Sequence, residues 1–462
     1  MTKYFHFFSF GLFSVFFIII IYLINNGNHT DFDFSVYYVV LSILSLSIVW
    51  QNYKNRLSLF FLFLLTFNLF IGSRFYVYLF DSTLSPFEPT FFFNYNISYI
   101  RKISLVKYVY SYMYFITFSN YIFCSIRFRC PWGNNIKGLS TYEIRALNKI
   151  LFPILCISLL YIAITGTLYS LRNGYAFVET AVTENQYSVS IINKFAPMLL
   201  IIMTGLIFVY VPRYTKKYLI LYFIYAICVI IGGARATFGS VLLICIWLYS
   251  LRYKISLIKV FFTGIMGLCV LLLLFSISSR GTGLDNFKLK DGLVVFGYTQ
   301  GISLMVFDAC RLFDSYPLIA RMQNFIPGLA FIMAKFVELF PQDATMQGYL
   351  CYNLNAELYA NGLGLGWTTL SDLYVYSKGN VIIFSILSFL LGCIITTLEV
   401  WSLKNKFSLF LLITLAPGLL MMSRGPLAIL FIQPYYSIGF VVLFIFLFKV
   451  VKMFIYNRNY LI

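Results

Sequence analysis

Long apolar runs broken by short polar stretches organise this chain. They lie at 7–24, 34–50, 57–80, 103–126, 150–171, 195–211, 218–233, 237–251, 257–277, 380–400, 407–424 and 434–449. Each is long enough to be a helix, and most approach the ~20 residues that a bilayer requires. A helix is the open-chain way to satisfy a backbone in hydrocarbon, and these runs lack the alternation of barrel strands. The first run follows a single basic residue, Lys3, and leads into the polar, acidic stretch 25–33, so it reads as a retained span rather than a cleaved signal. The pattern predicts an all-α polytopic membrane protein with about twelve spans. Residues 1–277 would hold nine of them and 380–462 three, with 278–379 as one large, partly helical outer loop. Loops of that length are usually functional. Within it, 293–307 and 325–340 read as short helices lying on or dipping into the outer interface.

Composition agrees: 61% of the 462 residues are hydrophobic and only 11% charged. Soluble, disordered and disulfide-scaffold classes are excluded. Charge placement then gives orientation. With the N-terminus inside, basic clusters such as Lys54 with Arg56, Arg213 with Lys216 and Lys217, and Lys404 with Lys406 all fall on the cytoplasmic side, while most acids fall outside. The net charge of +18 is therefore mainly a positive-inside signal, with both termini cytoplasmic, and does not indicate a nucleic-acid partner.

Rare residues narrow the chemistry. The two histidines, His6 and His29, offer no metal-ligand spacing. Most of the nine cysteines sit in apolar runs, although Cys310 and Cys351 share the large loop and can pair in an oxidising compartment. No phosphate-binding loop, nucleophile elbow or dinucleotide fingerprint occurs, so no cofactor is expected.

Arginines at the outer ends of spans are the informative feature. Arg56 to Arg74, Lys217 to Arg235 and Lys406 to Arg424 are each 18 residues apart, or ~27 Å along a helix. Lys259 to Arg280 is 21 residues, or ~31 Å. All four arginines thus sit level with, or just beneath, the outer polar boundary. One such arginine is ordinarily a snorkelling side chain. Four on one leaflet, in contexts such as Gly232-Gly233-Ala234-Arg235, Ser279-Arg280-Gly281 and Ser423-Arg424-Gly425, suggest a shared anionic ligand of the lipid phosphate or pyrophosphate class. The loop adds Arg311 and Arg321, together with carboxylates Asp308, Asp314, Glu338, Asp343, Glu357 and Asp372, for most of which solvated surface is the ordinary reading. Glu357 stands apart because it precedes the glycine-rich stretch 361–367, where Tyr359 and Trp367 offer faces for sugar stacking.

At Gly232–Arg235, 353–366 and Met422–Gly425, and in the arrangement of spans around one dominant outer loop, the chain resembles the bacterial O-antigen polymerase (Wzy) family and the related common-antigen polymerase. The resemblance implies a GT-C-like glycosyltransferase. It would join undecaprenyl-diphosphate-linked repeat units at the outer face of the inner membrane, with a chain-length regulator as a further partner. Carried over, Arg235, Arg280 and Arg424 would hold the diphosphate, and Arg74, Arg311 and Arg321 are additional candidates. The motifs do not identify the family's catalytic residue. On chemistry alone, a base for the acceptor hydroxyl falls first to Glu357 and second to Asp308, and no metal is required because arginine can stabilise the departing charge. Two rivals share the topology. An O-antigen ligase is associated with an outer-loop histidine, and 278–379 has none. A flippase should place its charges near mid-membrane.

Overall fold

The computed structural model describes residues 2–458 except 55, 90–91, 93–94, 125–139, 174–190, 232–234, 254, 278–288 and 362. Among the described residues every regular element is a helix, and each of the twelve apolar runs forms one. They are α1 (Thr2–Asn26), α2 (Asp31–Asn52), α3 (Leu59–Phe80), α4 (Tyr99–Cys124), α5 (Thr141–Asn173), α6 (Ile191–Tyr210), α7 (Thr215–Ile231), α8 (Arg235–Arg252) and α9 (Leu257–Ile277), followed after the loop by α17 (Val381–Ser402), α18 (Lys406–Met421) and α19 (Ile429–Arg458). The loop holds α10 (Leu289–Gln300), α11 (Ser303–Cys310), α12 (Leu318–Met322), α13 (Leu329–Met333), α14 (Met346–Leu354), α15 (Ala356–Ala360) and α16 (Thr369–Ser377).

Side-chain caps mark many starts. Thr30 and Asp33 form a capping box on α2, and Asn380 and Asn405 cap α17 and α18.

Among the described residues eight helices are long and apolar enough to cross a membrane, and three shorter apolar helices accompany them. Two departures from the run-by-run reading are instructive. The helix α4 is not among the eight, because its composition is too polar. It lies in the middle of the bundle, packed against α2 and along α17, and its polar groups are partnered across helices. Ser45 and Thr117 hydroxyls meet at 2.6 Å, Asn52 donates to Asn120 at 2.7 Å, and Asn120 donates to Thr396 at 2.9 Å. A polar helix is stable there because its neighbours satisfy it. Close approach also needs Gly392, where a Cβ would fall 1.9 Å from Ser119 Oγ and 2.8 Å from the Ile116 carbonyl oxygen. Gly392→Ala should lower stability by about 1–3 kcal/mol, read as an earlier thermal unfolding transition in detergent.

The second departure is Gly292–Cys310, which is long and apolar enough to cross a membrane although it lies in the large loop. It breaks at Gly301, where a Cβ would sit 2.6 Å from Arg74 Cγ and 2.9 Å from the Arg74 amide nitrogen. That glycine lets the chain press onto the outer part of α3, and every residue of α11 is buried. Residues 325–340, by contrast, contain only the short α13 and expose Phe331, Phe336 and Phe340.

Candidate functional site at one pole of the bundle

Hydrogen bonds distinguish the two poles. At one, Ser250 near the end of α8 donates to the Leu57 carbonyl at 3.2 Å. There too, Glu399 near the end of α17 accepts from the Leu59 and Phe60 amides at the start of α3, at 2.5 and 3.0 Å. Cations gather at this pole on aromatic faces: Arg252 lies over Phe208 and Lys406 over Tyr210. At the opposite pole the far end of α3, the α10–α11 break, α16 and the Met422–Leu427 tip between α18 and α19 meet. The helix α8 packs against α18 and runs away from Arg235 toward Ser250, so Arg235 begins at the same pole as Arg424.

Arg424 is exposed on the 3-10 turn Met422–Arg424. Its Nη1 donates to Gln300 Oε1 at 3.2 Å, and its guanidinium lies 5.8 Å from the Phe70 ring centre. Phe70 belongs to a π-helical turn, Asn68–Gly72, within α3. Asn68 holds that turn, accepting from Tyr38 and Tyr76 hydroxyls at 3.0 Å each and donating to the Leu64 carbonyl at 2.8 Å. Such an insertion re-aims side chains and is frequent at functional sites. Beside Arg424, the Ser423 hydroxyl is buried without a hydrogen-bond partner among the described residues.

Asp372 lies beneath this tip. Thr368 caps α16, accepting from the Ser371 amide at 3.0 Å, and so sets Asp372 in the first turn, fully buried. Its Oδ1 accepts from Trp367 Nε1 and Asn324 Nδ2, both at 2.8 Å, and its Oδ2 accepts from the Leu427 amide. Burial pushes its carboxyl up to about 7, against the pull of these three donors. Thr369 secures the same tip by donating to the Met422 carbonyl at 2.6 Å.

Two other arginines are enclosed. Arg74 is 3% exposed. It donates to the carbonyls of Pro86, Glu88 and Tyr298 at 3.3, 2.6 and 3.4 Å and stacks on the Tyr298 ring at 4.3 Å. Arg311 donates to Asp308 at 3.2 Å and to Ser104 Oγ at 2.7 Å, against the rings of Tyr108 and Tyr374. Asp308 itself is fully buried. Arg101 Nε lies 3.0 Å from each of its carboxylate oxygens, and Tyr95 donates to it at 2.5 Å. This knot ties the start of α4 to α11 and encloses the carboxylate.

The remaining sequence candidates fall into four groups. Arg321 on α12 joins the Asp372 assembly: its carbonyl accepts from Tyr376 at 3.0 Å, and its Nε is buried without a hydrogen-bond partner. Trp367 is 2% exposed, with its indole bound to Asp372 and its ring edge-on to Tyr316, so it presents no open face. Glu357 is exposed on α15, and Tyr359 is partly exposed beside Tyr352. Arg280 and the Arg235 side chain lie outside the described residues.

Cys310 and Cys351 are free thiols in one buried apolar cluster, the first facing the Ser371 carbonyl and the second accepting from the Leu365 amide. The two are not joined in a disulfide. Among the described residues no group of three or more His, Cys, Asp or Glu is placed to hold a metal.

Sequence reasoning passed over Gln300 and Arg101 and left Asp372 among carboxylates ordinarily read as solvated surface. Arg101 carried a signal, being a basic residue at the outer start of a span. Asp372 carried a weaker one, the cap residue Thr368 followed by an acid between Leu370 and Leu373.

A family model described as O-antigen polysaccharide polymerase Wzy matches residues 5–457. No curated protein and no solved structure matches the chain.

Proposed function

The chain belongs to the O-antigen polysaccharide polymerase family, and on that premise we propose that the pole carrying Arg424 is where lipid-linked repeat units are joined. Family membership makes it a glycosyltransferase-type polymerase of the membrane that acts on lipid-linked oligosaccharide repeat units. The observation that carries the placement is Arg424. It is a guanidinium exposed at the rim of the bundle and steadied by Gln300 and the Phe70 face, on a tip tied down by Asp372 and Thr369.

In this reading the donor is an undecaprenyl-diphosphate-linked chain, and the pole faces the periplasm. The aromatic-backed cations at the other pole, with both termini, face the cytoplasm, as the positive-inside rule favours. An acceptor hydroxyl attacks the anomeric carbon, the bond from that carbon to the diphosphate oxygen breaks, and negative charge grows on the departing lipid diphosphate. Arg424 meets that charge, with Arg235 and Arg280 from neighbouring spans and Arg321 from the loop as further donors. Arg74 and Arg311, bound to protein groups, shape the pole instead. Glu357 takes the acceptor's proton in preference to Asp308, because Glu357 is exposed and Asp308 is locked in its knot. Tyr359 is left as the sugar platform. The guanidinium groups supply the positive charge, so the scheme calls for no metal or cofactor. A chain-length regulator would dock from the periplasmic side.

The test uses purified protein in detergent with defined lipid-linked repeat units. A ladder of lengthened products is expected without a sealed membrane. Folded protein that yields no lengthened product would overturn the reading, and transport of the lipid in sealed vesicles without lengthening would replace it with a flippase.

A further inference from the structure

Asp372 is the one fully buried carboxylate of the described outer loop besides Asp308, and unlike Asp308 it faces no arginine at ion-pair distance. Its three partners come from three separate pieces of chain: Trp367 from the glycine-rich loop, Asn324 from the end of the α12 turn, and the Leu427 amide from the tip that carries Arg424. All three are N–H donors, and none of these groups can accept a proton. A carboxylate therefore fits this cage, whereas a carboxylic acid brings an O–H that finds no acceptor among these three N–H groups and weakens the bond to the oxygen that carries it. Trp367 and Asn324 share Oδ1. The Leu427 amide alone holds Oδ2, so the tip is the part that a proton on that oxygen releases.

We propose that Asp372 is a positioning residue for the polymerisation reaction: its carboxylate fastens the Arg424 tip to the outer loop, and its protonation unfastens that tip and slows chain lengthening. This assignment rests on the polymerase reading, since it gives Arg424 a substrate to meet. Charged and titratable neighbours do not compensate for the proton. Tyr376 on α16 shares Asn324 with Asp372, Arg321 on α12 lies beyond Tyr376, Cys310 faces α16 from α11, and Arg424 points out to the exposed rim. Burial places the carboxyl's titration at about 7, within the range that a compartment open to the medium experiences.

Activity and stability should then move in opposite directions. A carboxyl whose pKa is raised in the folded state favours the fold most at low pH, and that contribution is lost as pH rises through about 7. Acid therefore does not unfold the protein through this group, while it does release the tip.

The experiment follows polymer lengthening by the full-length protein in detergent between about pH 6 and pH 8, a window centred on the shifted titration, with thermal unfolding measured in the same buffers. The wild-type rate is expected to fall about tenfold from the alkaline to the acid end, as expected for loss of one charge-dependent contact, with no fall in unfolding temperature. Asp372→Asn should show the low rate throughout, with a flat profile and its loss mainly in kcat. Trp367→Phe removes a donor to the charged form, so its midpoint should move to higher pH. This second variant keeps the test decisive if Asp372→Asn does not fold. A wild-type rate that is flat across the window, an Asp372→Asn profile that keeps the wild-type slope, or an unmoved Trp367→Phe midpoint each overturns the proposal. Failure of the wild type to lengthen any product would instead count against the polymerase reading itself.

Discussion

Arg424→Ala is expected to leave protein level and membrane insertion unchanged while cutting polymer lengthening by about 10- to 100-fold. The estimate follows from one charge-assisted hydrogen bond to a departing phosphate, worth about 1.5–3 kcal/mol, with each 1.36 kcal/mol a factor of about ten in rate. Because Arg424 is exposed at the surface of the tip, its removal costs the fold little. Arg424→Lys keeps the charge and loses the planar fork, so it should recover only part of the rate. Gel analysis of polysaccharide made by cells depleted of the wild-type protein, with lipid-linked single units assayed alongside, checks both variants. Wild-type chain lengths from Arg424→Ala would remove the arginine from the reaction.

Asp308→Ala should act on stability and do so strongly. It would strand two guanidinium groups, Arg101 and Arg311, beside a fully buried position, with Arg311 only 8% exposed at its side chain. Removing one partner from a buried charge pair costs about 3–5 kcal/mol, and the lower end applies because Arg101 keeps partial contact with solvent. The expected result is a marked fall in unfolding temperature and in yield. The double change Asp308→Ala with Arg101→Met should be less harmful than the single one, since it withdraws one stranded charge. A mild single mutant would show that the knot is dispensable to the fold.

Much of the architecture was legible in the chain. Continuous apolar runs have one stable solution in hydrocarbon, and all twelve formed helices where described. What the pattern hid was interior polarity. Mean hydropathy judges a helix by its whole surface, so it cannot say that α4 would satisfy Ser45, Asn52 and Thr396 from neighbours far along the sequence. It also reads Gly292–Cys310 as a membrane-facing stretch, because the apolar side chains that pack on α3 resemble those that face lipid. Of the candidate site, the level of the arginines was legible and their surroundings were not. Spacing from the inner anchors put Arg74 and Arg424 at one level, and both do lie at one pole. Only coordinates distinguish them, since one guanidinium is buried among three carbonyls and the other residue is exposed. Trp367 and Asp372 show the same limit: a ring read as a sugar-stacking face and a carboxylate grouped with solvated ones are bonded to each other.

The seam between α3 and α10 bears on how such proteins can be recombined. Ser73 donates to the Gly297 carbonyl at 2.7 Å, and Arg74 reaches both Tyr298 and the 86–88 strand of chain. The boundaries suggested by hydropathy would cut a chimaera at 278 and 379 and leave half of this seam behind. A graft that transfers the large loop between polymerases should carry residues 73–88 with it, so the module for exchange is discontinuous in sequence and joined only in three dimensions.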